Sequence, residues 1–293
     1  MASPWVEAAR PRTLPLALSS ILMGSFTASA EGFFNPWVFG LACLTTIFLQ
    51  ILSNFANDYG DTQNGADLAG RIGPARAVQT GTITSKQMFR AIVLFAVLSL
   101  FTGITLLWVA FGSFTSSAFL QFLGLGILCI AAAYTYTAGK NPYGYAGLGD
   151  ISVFLFFGLV GVVGSYYLYS QAWSLTSLLP ALSSGFFATG VLNINNIRDI
   201  ASDLRAGKKT IPARFGKKKA LVYHWFLLIS GMITALLYVL IQGQAGYWFL
   251  LSYPLFFING LKVTKLENPD PMLKQLALST FFFTLLFGFS LLI

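Results

Sequence analysis

The stretch PWVFGLACLTTIFLQILSNFANDYGDTQNGAD, residues 36 to 67, decides how the chain is read. Residues 36 to 57 carry no charge and supply the roughly 20 apolar positions that a helix needs to cross about 30 Å of hydrocarbon. The stretch then ends in Asn54, Asn57, Asp58, Asp61 and Asp67, which is not the composition of an ordinary loop. Spacing of i and i+3 predicts that Asp58 and Asp61 share one helical face.

Outward from that stretch, apolar runs recur along the chain. Of the 293 residues 56% are hydrophobic and 10% charged, whereas soluble domains average about 25% charged. Nine runs are expected to span a membrane: 13 to 30, 36 to 57, 88 to 110, 117 to 138, 151 to 169, 175 to 197, 220 to 241, 246 to 261 and 275 to 293. Backbone groups in lipid must be satisfied within the segment, so these runs are helices. The expected fold is all-α, a polytopic membrane protein with nine transmembrane helices around a central cavity open to the cytoplasmic face. It forms a single domain over residues 1 to 293. Arg10 and Arg12 before the first run resemble the start of a signal peptide, but eight further spans favour a retained helix. Cys43 and Cys129 fall inside spans and form no spaced motif, so they read as structural thiols. The single histidine, His224, reads as a packed or interfacial residue.

Positive charge is distributed one-sidedly. All 18 Lys and Arg lie at the N-terminus, in 58 to 90, at Lys140, in 198 to 219 and in 262 to 274, which are alternate connections. The positive-inside rule places the N-terminus and these loops in the cytoplasm and the C-terminus across the membrane, as expected of an integral inner-membrane protein. This bias and an anionic substrate account for the net charge of +8 without invoking nucleic acid.

A second carboxylate cluster ends the sixth run, in NINNIRDIASDLRAGKKT, residues 193 to 210. Asn195, Asn196, Asp199 and Asp203 lie there, the two aspartates at i and i+4. Five of the ten acidic residues belong to the two clusters. A solvated helix end that balances nearby arginines would explain one cluster. Two clusters, each preceded by asparagines, favour a site, because carboxylates on a membrane flank are costly unless paired or metal-bound. Basic residues follow each: Arg71 and Arg76, then Arg205, Lys208, Lys209 and Arg214, with Pro-Ala-Arg at both 74 to 76 and 212 to 214. This points to a four-plus-four helix pseudo-repeat whose halves face their carboxylates across one cavity. Hard oxygen ligands in this number suit Mg²⁺, which takes one or two carboxylates together with substrate phosphates. A diphosphate so bridged and clamped by cations becomes a good leaving group. If its other end is a long hydrocarbon dissolved in the bilayer, the substrate is a prenyl diphosphate.

These residues resemble the UbiA superfamily of intramembrane aromatic prenyltransferases over essentially the full length. The resemblance rests on NDxxD after the second helix and on RDxxxDxxxGKxT through Arg198, Asp199, Asp203, Gly207, Lys208 and Thr210. Tyr136 and Lys140 fit the YxxxK of the family at the end of the fourth helix. A third aspartate often extends the first motif; Gly65 stands there instead, with Asp67 next. The stretches ARPRTLPLAL, GPARAVQTGTIT and YTAGKNPYGYAGLGD look like the branch acting on 1,4-dihydroxy-2-naphthoate rather than on 4-hydroxybenzoate.

The resemblance implies Mg²⁺ held by Asp58, Asp61, Asp199 and Asp203, with Asp67 as a further candidate. It implies Asn54, Asn57, Asn195 and Asn196 as ligands or as donors to the ligands. Arg71, Arg76, Lys140, Lys208 and Lys209 would neutralise the diphosphate of the polyprenyl donor, with Tyr136 catalytic. Arg10, Arg12 or Arg198 would meet the naphthoate carboxylate. The 46 aromatic residues are in keeping with a dry cavity that shelters an allylic cation from water. Two rivals fit less well. A secondary transporter places its polar groups in mid-helix, and a CDP-alcohol phosphotransferase carries closely spaced aspartates that are absent here.

Overall fold

The computed structural model describes residues 3–65, 76–243 and 246–293. All regular structure among them is helical: α1 (Pro4–Ala9), α2 (Leu14–Ala30), α3 (Pro36–Gln63), α4 (Ser85–Phe111), α5 (Ser117–Thr135), α6 (Gly149–Ser170), α7 (Leu178–Arg198), α8 (Ile200–Arg205), α9 (Ile211–Gln242), α10 (Tyr253–Lys265) and α11 (Asp270–Leu292). A 3₁₀ turn, Pro11–Thr13, joins α1 to α2, and another, Trp248–Ser252, leads into α10. The middle of α6, Phe154–Gly164, winds as a π-helix.

Local chemistry sets the helix boundaries. The Asn35 side chain accepts the N–H groups of Trp37 and Val38 at 2.9 and 3.3 Å, with Pro36 at the first helical position of α3. Thr84 and Gln87 form a reciprocal capping box at the start of α4. Thr210 caps α9 by accepting the Ala213 N–H at 3.4 Å.

Seven helical segments are long and apolar enough to cross a membrane: Pro4–Ala30, α3, α4, α5, α6, α9 and α11. The two other expected spans are helical but do not belong to that set. One is only the 13 residues of α10 plus its 3₁₀ lead-in. The other, α7, is too polar by composition, and the fold shows why that is tolerated. Fourteen of its 21 residues are buried, so its serines, asparagines and Arg198 meet protein rather than lipid. Around α7 lies the main apolar core, where Phe187 stacks on Phe256 with ring centroids 4.2 Å apart and meets Phe283 edge-on.

Outer surfaces are apolar. Val97 and Phe101 on α4, Leu128 on α5 and Val222 and Ile241 on α9 are exposed, and Phe119 is the single buried residue of α5. Such a surface has lipid as its solvent. The protein is therefore an integral membrane protein. Each carboxylate-bearing helix packs most extensively on the long helix that follows it, α3 on α4 and α7 on α9. The carboxylates lie at the same end of both.

Candidate active site

The first wall of the site is the last two turns of α3. Asn57 and Asp61, spaced i and i+4, line a cavity. Asp58 does not, in contrast to the expectation that it shares a face with Asp61. One residue is about 100° of helix rotation, so the neighbour of Asn57 is carried to the flank. There the Asp58 carboxylate accepts the backbone N–H groups of Ala77 and Val78, both at 3.1 Å. It thereby pins the segment that carries Arg76. Asn54 also works structurally: its Nδ2 donates to the Ala9 carbonyl at 2.8 Å and to Thr13 Oγ1 at 3.0 Å, tying the N-terminal segment to α3.

The second wall is contributed by the end of α7 and by α8. Asn195, Asn196, Asp199 and Asp203 all line the cavity, Asp199 and Asp203 being the pair at i and i+4. Arg198 donates to both oxygens of Asp199, at 2.8 and 2.6 Å, and to Asn195 Oδ1 at 2.8 Å, and also pairs with Asp270 at the start of α11. Asp203 Oδ2 accepts from Thr210 Oγ1 at 3.2 Å. Burial pushes the Asp203 carboxyl up to about 6; Lys208 opposes that rise, and the negative charges of Asp199 and Asp61 add to it. A cation would relieve that repulsion.

The third wall is the 136–149 segment. Asn64 Nδ2 donates to the Thr137 carbonyl at 2.9 Å, and Thr137 Oγ1 donates to Asn57 Oδ1 at 3.0 Å. Contact is this close because Gly60 has no side chain: a Cβ there would stand 2.5 Å from the Thr137 carbonyl carbon and oxygen. Tyr136 lines the cavity, and burial pushes its phenol above the usual range, so it is protonated. Lys140 does not accompany it. α5 ends at Thr135 and the chain turns at Gly139, with φ of 94°, so helical i, i+4 spacing no longer applies and Lys140 is exposed. Lys209 is likewise exposed and outside the lining, its N–H donating to the Tyr145 carbonyl at 2.9 Å. Asp67 and Arg71 lie outside the described residues.

Tyr145 was not singled out by sequence reasoning. Its hydroxyl donates to Asp61 Oδ1 at 3.0 Å, and Lys208 Nζ stands 4.5 Å from its ring centroid while bonding the same oxygen at 2.8 Å. Arg76 reaches the other oxygen of Asp61 at 3.3 Å. Lys274 of α11 lines the cavity too, and its motif-free position carries no signal in the sequence.

The resulting polar cavity is about 220 Å³. It adjoins an apolar chamber of about 390 Å³ between α2, α3, α4, α5 and α6. Gln50, Asn57, Tyr136, Val153, Phe157 and Leu192 border both. Among the described residues no three Asp, Glu, His or Cys side chains make a closed cage for a metal ion. Asp61, Asp199, Asp203 and the asparagine amides instead offer hard oxygens around a shared space. That donor set fits a divalent ion such as Mg²⁺, which fills its shell with substrate oxygens and water.

The chain is similar in sequence and in fold to known proteins. A 1,4-dihydroxy-2-naphthoate octaprenyltransferase of Haemophilus influenzae is 45% identical over 297 aligned positions, covering 99% of this chain and 96% of its own. The enzyme of that name from Escherichia coli is 44% identical, covering 97% and 93%. Among solved structures, the apo form of a UbiA homolog from Aeropyrum pernix superposes with a TM-score of 0.68 at 17% identity, over 94% of this chain and 96% of that one. A UbiA homolog from Archaeoglobus fulgidus, solved with GPP and Mg²⁺ bound, gives 0.63 at 18% identity, over 99% of both chains. The sequence profile of the UbiA prenyltransferase family matches residues 17–287, nearly the whole chain, and the chain belongs to that family.

Proposed function

We propose that this protein is a membrane prenyltransferase that moves a polyprenyl group from its allylic diphosphate to 1,4-dihydroxy-2-naphthoate, with release of diphosphate and CO₂, in menaquinone biosynthesis. The observation that carries this reading is the joining of two unlike spaces. A polar cavity lined by Asp61, Asp199 and Asp203 opens at Asn57 and Tyr136 into an apolar chamber. Such a pair of spaces suits a substrate with a highly charged head and a hydrocarbon tail. A transporter site at the bilayer midplane would not place its carboxylates together at one end of the helices.

Each residue has a part in that chemistry. Mg²⁺, when bound, neutralises the diphosphate and the charge it gains on departure. Asp61, Asp199 and Asp203 would hold the ion, and Asn57, Asn195 and Asn196 supply amide oxygens beside them. Arg76 and Lys208, both already paired with Asp61, present their remaining donors to phosphate oxygens. Asp58 serves by fixing the Ala77–Val78 backbone, and with it Arg76. The polyprenyl chain occupies the apolar chamber, whose lining is mostly hydrocarbon. The C–O bond to diphosphate breaks with its electron pair on oxygen. The electron-rich ring then forms the new C–C bond, and loss of CO₂ returns an electron pair to the ring. Tyr136, a protonated phenol at the junction, presents its ring face to the developing allylic cation. The excess of Lys and Arg on the carboxylate end supports a reading with this site and the N-terminus on the cytoplasmic side of the inner membrane.

The experiment is a competition. Purified protein with Mg²⁺, a polyprenyl diphosphate and equal amounts of 1,4-dihydroxy-2-naphthoate and 4-hydroxybenzoate is expected to prenylate the naphthoate at least about tenfold faster, the margin that one well-placed polar contact supplies. Efficient prenylation of 4-hydroxybenzoate with the naphthoate untouched would overturn the acceptor while leaving the diphosphate chemistry standing.

A further inference from the structure

Arg10, Arg12, Arg76, Lys208 and Lys274 line the polar cavity, and two carboxylates at or beside it hold cations. Arg76 and Lys208 pair with Asp61 on one side. On the other, Asp270 bridges two arginines: Oδ1 contacts Arg198, and Oδ2 stands 3.9 Å from Arg12 Nη1. These two arginines differ sharply. The Arg198 side chain is 1% exposed and its Nε, Nη1 and Nη2 are all committed, to Asp199, Asp270 and Asn195. The Arg12 side chain is 38% exposed, and among the described residues its ion pair is the long contact to Asp270. Arg10, which also lines the cavity, interacts electrostatically with Asp58 on the α3 side.

We infer that Arg12, assisted by Lys274, is the residue that receives the carboxylate of the aromatic acceptor. This inference rests on the prenyltransferase reading above. The Pro11–Thr13 turn packs against α11, which places Arg12 and Lys274 on adjoining elements of the cavity wall. Beside them Leu16, Ala188, Leu273 and Ala277 supply apolar surface. A flat bicyclic aromatic acid needs this combination of an apolar slot and a cation at its rim. The diphosphate and the acceptor carboxylate, both anions, then bind to different cations and do not compete for them. Arg12 needs no deprotonation or rearrangement of Arg198: an incoming carboxylate takes over donors from the long Asp270 contact, and Asp270 remains on Arg198. Partial exposure keeps the new ion pair weak. It orients the carboxylate without holding it so tightly as to oppose its later loss as CO₂.

The test pairs two enzymes with two acceptors. Wild type and Arg12→Ala are assayed with 1,4-dihydroxy-2-naphthoate and with 1,4-dihydroxynaphthalene, which lacks the carboxylate and loses a ring proton instead. The expected result is a rise in KM for the naphthoate of up to about fivefold in Arg12→Ala, the range for a partly exposed ion pair. KM for the polyprenyl diphosphate is expected to stay as in wild type, and the penalty to fall selectively on the carboxylated acceptor. Arg12→Lys, which keeps the charge but not the two-pronged geometry, should lie between. An equal penalty on both acceptors, or a penalty on the diphosphate KM, overturns the assignment. A wild-type enzyme that prenylates neither acceptor would instead mean that the prenyltransferase reading itself is wrong.

Discussion

Asp203→Asn is expected to lower prenyl transfer by about 10³-fold, the loss typical of removing one preorganised charge-stabilising group, while the protein still inserts and purifies. Asp203 is the cleanest of the carboxylates for this test. Its side chain is held by a single hydroxyl, that of Thr210, which an amide oxygen accepts equally well. Burial already raises its carboxyl to about 6, so the neutral amide relieves a desolvation cost rather than creating one. Lost activity with unchanged or raised thermal stability is therefore the signature of a functional charge. Asp61→Asn should lose comparable activity. Asp199→Asn adds a stability loss on the order of 3 kcal/mol, because it leaves buried Arg198 without its bidentate partner. Asp58→Asn should cost less activity than any of these, since Asp58 faces backbone amides. Turnover near wild type in Asp203→Asn, measured at saturating Mg²⁺, would remove that residue from the ion's ligands.

Gly60→Ala is expected to reduce turnover by about 10²-fold although it touches no reacting group. The added methyl would overlap the Thr137 backbone at 2.5 Å, and α3 must shift away to accommodate it. Asn57 and Asp61 lie within one turn on either side, and Thr137 itself bonds Asn57. A displacement of about 1 Å at positioning residues costs on the order of 10²-fold. Gly40→Ala, in the same helix but with open space at its Cβ, is the control. It should leave turnover unchanged and stabilise slightly, since alanine is the better helix former. Equal turnover in Gly60→Ala and wild type would show that the α3 contact with Thr137 does not position the site.

How much of this was legible beforehand follows from which interactions are local. Hydropathy placed the helices, because a span is a property of some twenty consecutive residues. It did not distinguish α7, whose polar face is shielded by the rest of the bundle, from a lipid-facing helix. The two carboxylate clusters were legible as concentrations of charge on an apolar chain, and the cluster at 195 to 203 lines the cavity as its spacing implies. In the first cluster, spacing alone paired Asp58 with Asp61, since i, i+3 and i, i+4 neighbours both qualify as one face. The Ala77 and Val78 amides decide between them, and they arrive from some twenty residues downstream. Lys140 departs from its motif because the helix that would have carried the spacing has already ended. Tyr145 and Asp270 were missed for the same reason in another form: each meets its partner across more than seventy residues of sequence, through helix packing that no local pattern encodes.

The proposed coupling of diphosphate departure to decarboxylative attachment of a polyprenyl chain is read out by following all products of one reaction. Purified protein with Mg²⁺, polyprenyl diphosphate and carboxyl-labelled 1,4-dihydroxy-2-naphthoate should release CO₂ and diphosphate in amounts equal to the prenylated product, all three ceasing on chelation of Mg²⁺. A prenylated product whose mass retains the carboxyl group, or diphosphate release without any prenylated naphthol, would contradict it.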